Sequence, residues 1–266
     1  MDELKCMHEK DVDWRAGRLP LYVFSATEEV RALGQAAFNE FFTENALGAR
    51  RAFPSLERME NEVIAMGLDL FHGGDGGKGN MTSGGTESIV MAVKACRDWS
   101  RKQRADATFR GNIVLPDSGH PAFEKAAAMM DLEIHRVPLA AGFLADAAAM
   151  AEAVDAKTMM MVGSAPSFSF GTIDPIAELA DLARERGIWL HVDACVGGWL
   201  APFVADLGYP VPQFDFAVQG VMSLSADLHK FGFCPKPAST LFYRDATLQA
   251  FQEFSFDSWP SGRFST

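Results

Sequence analysis

The amino-acid sequence predicts an α/β fold in which a mainly parallel sheet lies between helices. Three observations predict it. Short apolar runs of strand length alternate with amphipathic runs of helical length between Thr86 and Val192. The helical runs are long enough to form the right-handed crossovers that parallel strands require. Asp193 closes one apolar run and Gly84-Gly85 opens one helical run. In an open parallel sheet both would lie at the strand C-terminal edge, where ligands bind.

The elements follow in order. Thr27 to Asn45 and Pro54 to Leu70 read as amphipathic helices, giving an N-terminal helical arm over residues 1–75. Gly73 to Gly79 reads as a flexible turn. It is not a Walker loop, because His72 stands where the first glycine should be and Gly79 follows Lys78 in place of Ser or Thr. The α/β body occupies 76–266. Its first helix, Thr86 to Arg104, turns Ile89, Val93 and Cys96 inward and Lys94, Arg97 and Arg101 outward. Strands are then expected at Asn112 to Leu115, Glu133 to Val137, Thr158 to Val162 and Ile188 to Val192. The helices between them are Pro121 to Met130, Ala145 to Val154 and Pro175 to Arg186, the last opened by Asp174 and Pro175. An apolar-rich stretch from Phe214 to Val221 precedes the most unusual segment of the chain.

Composition excludes several classes. The 266 residues are 48% hydrophobic, enough for a substantial core, and carry a net charge of −11. That charge argues against nucleic acid or an anionic membrane as partner. No apolar run approaches the ~20 residues of a membrane span, and Met1 to Lys10 lacks the apolar middle of a secretion signal, so a cytoplasmic protein is expected. Cys6, Cys96, Cys195 and Cys234 are scattered without metal-site or disulfide spacing, so no metal is expected. Cys195, two residues beyond Asp193, either reaches the same region or packs as a small buried residue.

The chemistry is carried by Ser223-Leu224-Ser225-Ala226-Asp227-Leu228-His229-Lys230-Phe231-Gly232. A lysine among small, hydroxylic and apolar residues is expected to be desolvated, with a lowered pKa that suits its amine to a Schiff base, and this suggests pyridoxal phosphate. Asp193 could pair with the pyridinium nitrogen, and Ser83-Gly84-Gly85-Thr86 opens a helix suited to the phosphate. Each residue alone has a plainer reading. Asp193 could brace a turn, His191 could be a satisfied core histidine, and Gly84-Gly85 could be a capped turn. His120 could stack on a planar ring, and His229 could meet a phosphate or carry a proton.

Together these segments resemble the group II pyridoxal-phosphate decarboxylase family, and most closely its sphingosine-phosphate lyase branch. The resemblance rests on Thr82 to Ser88, His120 to Ala127, His191 to Gly198 and Ser223 to Gly232, in the family's order. It implies the large domain of the aspartate aminotransferase-type, pyridoxal-phosphate-dependent transferase fold, and a homodimer with shared active sites. It further implies Lys230 as the Schiff-base lysine, Asp193 on the ring nitrogen and His120 stacked on the ring. Ser83, Gly84, Gly85, Thr86, Ser225 and His229 complete the cofactor set. The implied activity is lyase cleavage of a carbon–carbon bond in a small amine or amino-acid substrate, with amino-acid decarboxylation as the alternative.

The chain departs from the lyase pattern on the substrate side. It has Asn45-Ala46-Leu47-Gly48 where the branch has Asn-Pro-Leu-His, Ser169-Phe170-Gly171 where it has Pro-His-Gly, and Phe24 where a tyrosine is expected. Lys236 remains at a position that helps hold a substrate phosphate. The family also continues through a smaller C-terminal domain, so a truncated chain, or a remnant without turnover, is expected here.

Overall fold

The computed structural model describes residues 2–17, 19, 22–45, 52–256 and 262–264. The sequence departure at 46–48 lies outside these residues. Three helices come first: α1 (Asp2–Met7), α2 (Glu28–Glu40) and α3 (Pro54–Leu70). Thr27 starts α2 by accepting a hydrogen bond from the Val30 amide at 3.3 Å. The body then alternates β1 (Lys78–Thr82), α4 (Gly85–Gln103), β2 (Asn112–Pro116), α5 (Ala122–Met130), β3 (Glu133–Val137), α6 (Ala147–Ala153) and β4 (Thr158–Ser164). It continues with α7 (Ile176–Arg186), β5 (Trp189–Asp193), α8 (Ala201–Asp206), β6 (Val221–Ala226), β7 (Ser239–Tyr243) and α9 (Ala246–Gln249). A small hairpin of β8 (Phe254–Phe256) and β9 (Gly262–Phe264) follows.

The main sheet has the order β1-β7-β6-β5-β4-β2-β3. The pairs from β3 through β6 are parallel, whereas β7 runs antiparallel to both β6 and β1. Every residue of β2, β4, β5 and β7 is buried, as a sheet covered on both faces demands. The period of two divides the core cleanly. Ile113, Leu115, Met160, Val162, Trp189, Leu241 and Tyr243 meet Ile89, Val93 and Cys96 of α4 and Phe123 of α5. Val114, Met161, Leu190, Val192, Leu224 and Phe242 face the other way, against Met150 of α6 and Ile176 and Leu179 of α7. Each such side chain contributes about 1.5–3 kcal/mol of transfer free energy.

Three expectations need correction. Helix α3 does not belong to a separate arm ending at residue 75. Phe71 is fully buried, Ile64 and Leu68 pack on the core, and a Cβ at Gly67 would strike the Phe242 ring, so 54–71 pack as part of the body. The Gly73 to Gly79 stretch is a turn only at its start, because Lys78 and Gly79 already pair with Tyr243 and Phe242 in the sheet. Asp174 does not cap α7. Its buried carboxylate accepts from the amides of Ala145 and Ser164 at 2.8 and 2.7 Å, tying the end of β4 to the loop before α6, and desolvation pushes its pKa up. Inward and outward faces of α4 fall as the periodicity requires, although the outer Lys94 is engaged, donating to the carbonyls of Phe251, Gln252 and Glu253.

His191 sits fully buried in β5 with both ring nitrogens bonded. Trp189 Nε1 donates to Ser223 Oγ at 2.7 Å, and the same hydroxyl is hydrogen-bonded to His191 Nδ1 at 2.8 Å. His191 Nε2 is hydrogen-bonded to Ser225 Oγ at 3.2 Å. Burial depresses its pKa from 6.5 to about 4, against the raising effect of Asp193. Below pH 6.5 the unfolded chain therefore takes up a proton that the fold refuses. Stability should fall between pH 6.5 and about 4 by about 3 kcal/mol from this residue, then level off. In urea unfolding, His191→Asn should be less stable than the parent at pH 7, with the gap narrowing by about that amount at pH 4.

Candidate active site

Parallel pairing of β5 and β6 brings Asp193 opposite Ser225 at their C-terminal ends. The chain leaving β6 turns at once through Asp227, His229 and Lys230, while the N-terminus of α4 approaches from the other side. A cavity of about 380 Å³ opens between them, lined by Ser83, Gly84, Gly85, Thr86, Glu87, Ile89, His120, Asp193, Cys195, Asp227, His229 and Lys230. The sequence-predicted cofactor residues thus converge on one cavity, with Ser225 as the exception, and the predicted substrate residue Lys236 lies elsewhere.

Ser225 is fully buried behind the lining, bonded to His191 and to Cys195 Sγ at 3.2 Å. Lys236 lies in a second cavity of about 420 Å³ with Trp14, Tyr22, Phe24, Arg31 and Phe233, and its Nζ donates to the Tyr22 carbonyl at 3.1 Å. His229 lines both cavities. The departures sit on apolar contacts, with Phe24 edge-on to Phe231 at 5.0 Å and Phe170 stacked on Phe143 at 4.4 Å.

Each lining group is held from behind. Asp193 Oδ1 accepts from the Cys195 amide at 3.1 Å, which fixes the carboxylate at the end of its strand. His120 Nδ1 accepts from the Ala122 amide at 3.1 Å, fixing its ring. The His120 loop is braced by Arg136, whose guanidinium donates to the carbonyls of Pro116, Asp117 and Gly119 at 2.9–3.1 Å and to Glu124 at 2.6 Å. Ser83 gives both its amide and its hydroxyl to Glu87 at 2.6 Å, so it orders the helix start and has no proton to spare for a phosphate. Cys195 is a buried thiol, its pKa pushed well up by desolvation.

Lys230 departs from expectation. Burial pushes its pKa down, negative charge at Cys195, at Asp227 3.1 Å away and at Asp193 pushes it up, and the net direction is up. The neutral Cys195 thiol adds no charge at pH 7. His229 goes the other way, its pKa lowered by burial against the pull of Asp227. Sequence reading missed Asp227 and Arg136. The spacing of Asp227, three residues before Lys230, was the available signal for the first; nothing local marked the second.

The cavity fits pyridoxal phosphate. It brings together an amine for the aldehyde, a carboxylate for the ring nitrogen and the first turn of a 19-residue helix, whose free amides suit a phosphate. The floor is kept open by Gly85, where a Cβ would lie 2.9 Å from Asp227 Oδ2 and 3.0 Å from Cys195 Sγ.

Comparison with known proteins agrees. Residues 43–258 match the family model described as pyridoxal-dependent decarboxylase conserved domain. The sphingosine-1-phosphate lyase of Oryza sativa subsp. japonica is 39% identical over 99% of this chain and 50% of its own length. That of Arabidopsis thaliana is 45% identical over 80% of this chain and 40% of its own. The chain spans about half the length of the curated relatives it matches. Among solved structures, the sphingosine-1-phosphate lyase of Burkholderia pseudomallei superposes with a TM-score of 0.92 at 40% identity, covering 99% of this chain and 62% of that one.

Gly85→Ala should weaken pyridoxal phosphate binding about tenfold or more, because the new methyl displaces Asp227 or Cys195 from the floor. Gly84→Ala is the control. Its Cβ would sit 3.7 Å from His229 Cε1, an ordinary contact, and binding should change little in an absorbance titration.

Proposed function

The chain belongs to the pyridoxal-dependent decarboxylase family, and from that premise we propose that it is a pyridoxal-phosphate-dependent carbon–carbon lyase acting on an amine or amino-acid substrate. The observation that carries this reading is the meeting of Lys230, Asp193, His120 and the α4 N-terminus in one cavity. When bound, pyridoxal phosphate supplies an aldehyde that ties down an amine and a ring that accepts the electrons of a breaking bond at the substrate α-carbon.

In this reading Lys230 attaches the cofactor through its Nζ. The Asp193 carboxylate keeps a proton on the ring nitrogen, and His120 packs against the ring face. Gly85 and Thr86 receive the phosphate on their amides, with His229 alongside. Lys230 Nζ and His229 Nε2 then hold and move protons at the substrate carbon. The second cavity takes the rest of the substrate, where Lys236 and Arg31 can meet an anionic group and Trp14, Phe24 and Phe233 an apolar one. Decarboxylation of an amino acid is the second reading, favoured by the apolar Phe24 and Phe170 where the lyase branch has polar groups. A cytoplasmic homodimer completes the proposal. Among the described residues no helix is long and apolar enough to cross a membrane.

Borohydride reduction followed by peptide mapping should find the pyridoxyl label on Lys230; a label on Lys236 or Lys125 instead would refute the site. With aldehyde and carbon dioxide assayed separately, Asp193→Asn should slow release of either product at least a hundredfold. Losing a buried charge pair costs about 3 kcal/mol or more when it is felt in full at the transition state.

A further inference from the structure

Asp227 is a carboxylate only 2% exposed, in the turn that follows β6, and the proposed chemistry gives it no task. It is surrounded by donors. Ser239 Oγ donates to Oδ1 at 2.5 Å, Lys230 Nζ to Oδ2 at 3.1 Å, and His229 Nε2 lies 3.6 Å from Oδ2. Ser239 also ends a buried chain of hydroxyls. Thr82 Oγ1 and Ser88 Oγ are 2.6 Å apart, and Ser88 Oγ and Ser239 Oγ 2.9 Å. A carboxylate only accepts, so Ser239 spends its proton on Asp227, accepts from Ser88, and Ser88 accepts from Thr82. The chain therefore points one way, toward Asp227. The α4 N-terminus presses on the same carboxylate through Gly85, adding the positive end of a helix. His229 is oriented as well, since its Nδ1 accepts from the Ala238 amide at 3.1 Å and leaves the neutral ring's proton on Nε2, toward Asp227.

We propose that Asp227 is the positioning residue of the cofactor-attaching lysine: it clamps the Lys230 ammonium over the cavity floor and keeps it protonated until the cofactor arrives. This rests on the reading of Lys230 as the attachment point. The groups facing the amine are Asp193 and Cys195 from the end of β5, Asp227 and His229 from the turn after β6, Glu87 from α4 and His120 from the loop after β2, with Lys236 acting on His229 from behind. Cys195 is a neutral thiol and Glu87 is engaged by Ser83. The effective anions are Asp227 and Asp193, and only Asp227 touches the amine. To capture the aldehyde, the ammonium releases one proton to solvent. Its lone pair then bonds to the aldehyde carbon, and the carbonyl oxygen leaves as water with the amine's two remaining hydrogens. Asp227 keeps Ser239 as a donor, and His229 Nε2–H faces it.

The test uses the cofactor-free protein. Pyridoxal phosphate is added with borohydride at steps from pH 7 to pH 10, and the label on Lys230 is divided by that on a free lysine peptide in the same tube, which removes the cofactor's own titration. In the parent the ratio should stay nearly flat, because both amines are mostly protonated across the window and their small neutral fractions rise in parallel. In Asp227→Asn the ratio should be raised about tenfold or more near pH 7 and should bend downward inside the window, since a neighbouring charge moves a pKa by one to three units. A merely structural role would lower the amount of label without changing the profile's shape. A flat profile in a folded Asn variant, checked by circular dichroism, overturns the clamp. Should that variant not fold, the parent decides: a flat ratio supports the clamp and a bend below pH 10 overturns it. Absence of label from Lys230 in the parent would instead refute the attachment reading and the clamp with it.

Discussion

A carboxylate stays charged in a protein interior only when donors surround it, and the donors that gather on Asp227 come from every part of the site. Ser239 comes from β7, Lys230 and His229 from the turn after β6, and Gly85 brings up the start of α4. Satisfying one buried charge therefore fixes the relative placement of the helix N-terminus, the lysine and the antiparallel strand β7. The hydroxyl chain extends this tie to Thr82 at the end of β1, the sheet's edge strand. Among the described residues Asp193, which also lines the cavity, is held by a backbone amide alone on its own side, which suits a group whose further partner is a ligand.

The fold makes this arrangement by a simple rule. In parallel β5 and β6 both chains end at the same edge, so a residue closing one strand and a residue a few positions beyond the other fall side by side. Asp193 is the last residue of β5 and Lys230 follows the end of β6 by four positions. The antiparallel return of β7 is equally necessary, since it carries Ser239 back to the same edge, opposite Thr82 of β1 and next to Thr240, which pairs with Ala226 of β6.

Much of this was legible in the sequence, and the parts that were not have physical reasons. Buried parallel strands announce themselves as apolar runs, and the run Thr158 to Val162 fell within the fully buried β4. β1 did not, because Lys78-Gly79-Asn80-Met81-Thr82 is an edge strand with no apolar run and a glycine at its second position. The cavity residues were legible because their types are rare in combination. Their charge states were not. Burial alone argues for a lowered lysine pKa, and the opposing effect comes from Cys195, Asp227 and Asp193, which only the three-dimensional fold brings beside it. Ser225 and Ser83 were read as cofactor contacts because their neighbours in sequence are. In space one faces His191 and the other Glu87, as period two in a strand and a capping hydrogen bond at a helix start dictate.

The substrate side follows a different logic, because its groups come from loops and from the segment before the body rather than from strand ends. Lys236 donates to the Tyr22 carbonyl and Phe24 packs on Phe231, so the loop after β6 and the segment before α2 form one wall. On the proposed reading that wall selects the substrate while the strand edge performs the chemistry. His229 is the residue common to both cavities. A change of substrate in this family can then be accommodated by altering the wall, as Phe24 already does, without disturbing the carboxylate, hydroxyl and lysine geometry beside it. Because His229 is the one residue among those described that lines both cavities, the ring orientation set by the Ala238 amide is, on the proposed reading, the point at which substrate selection and proton transfer meet.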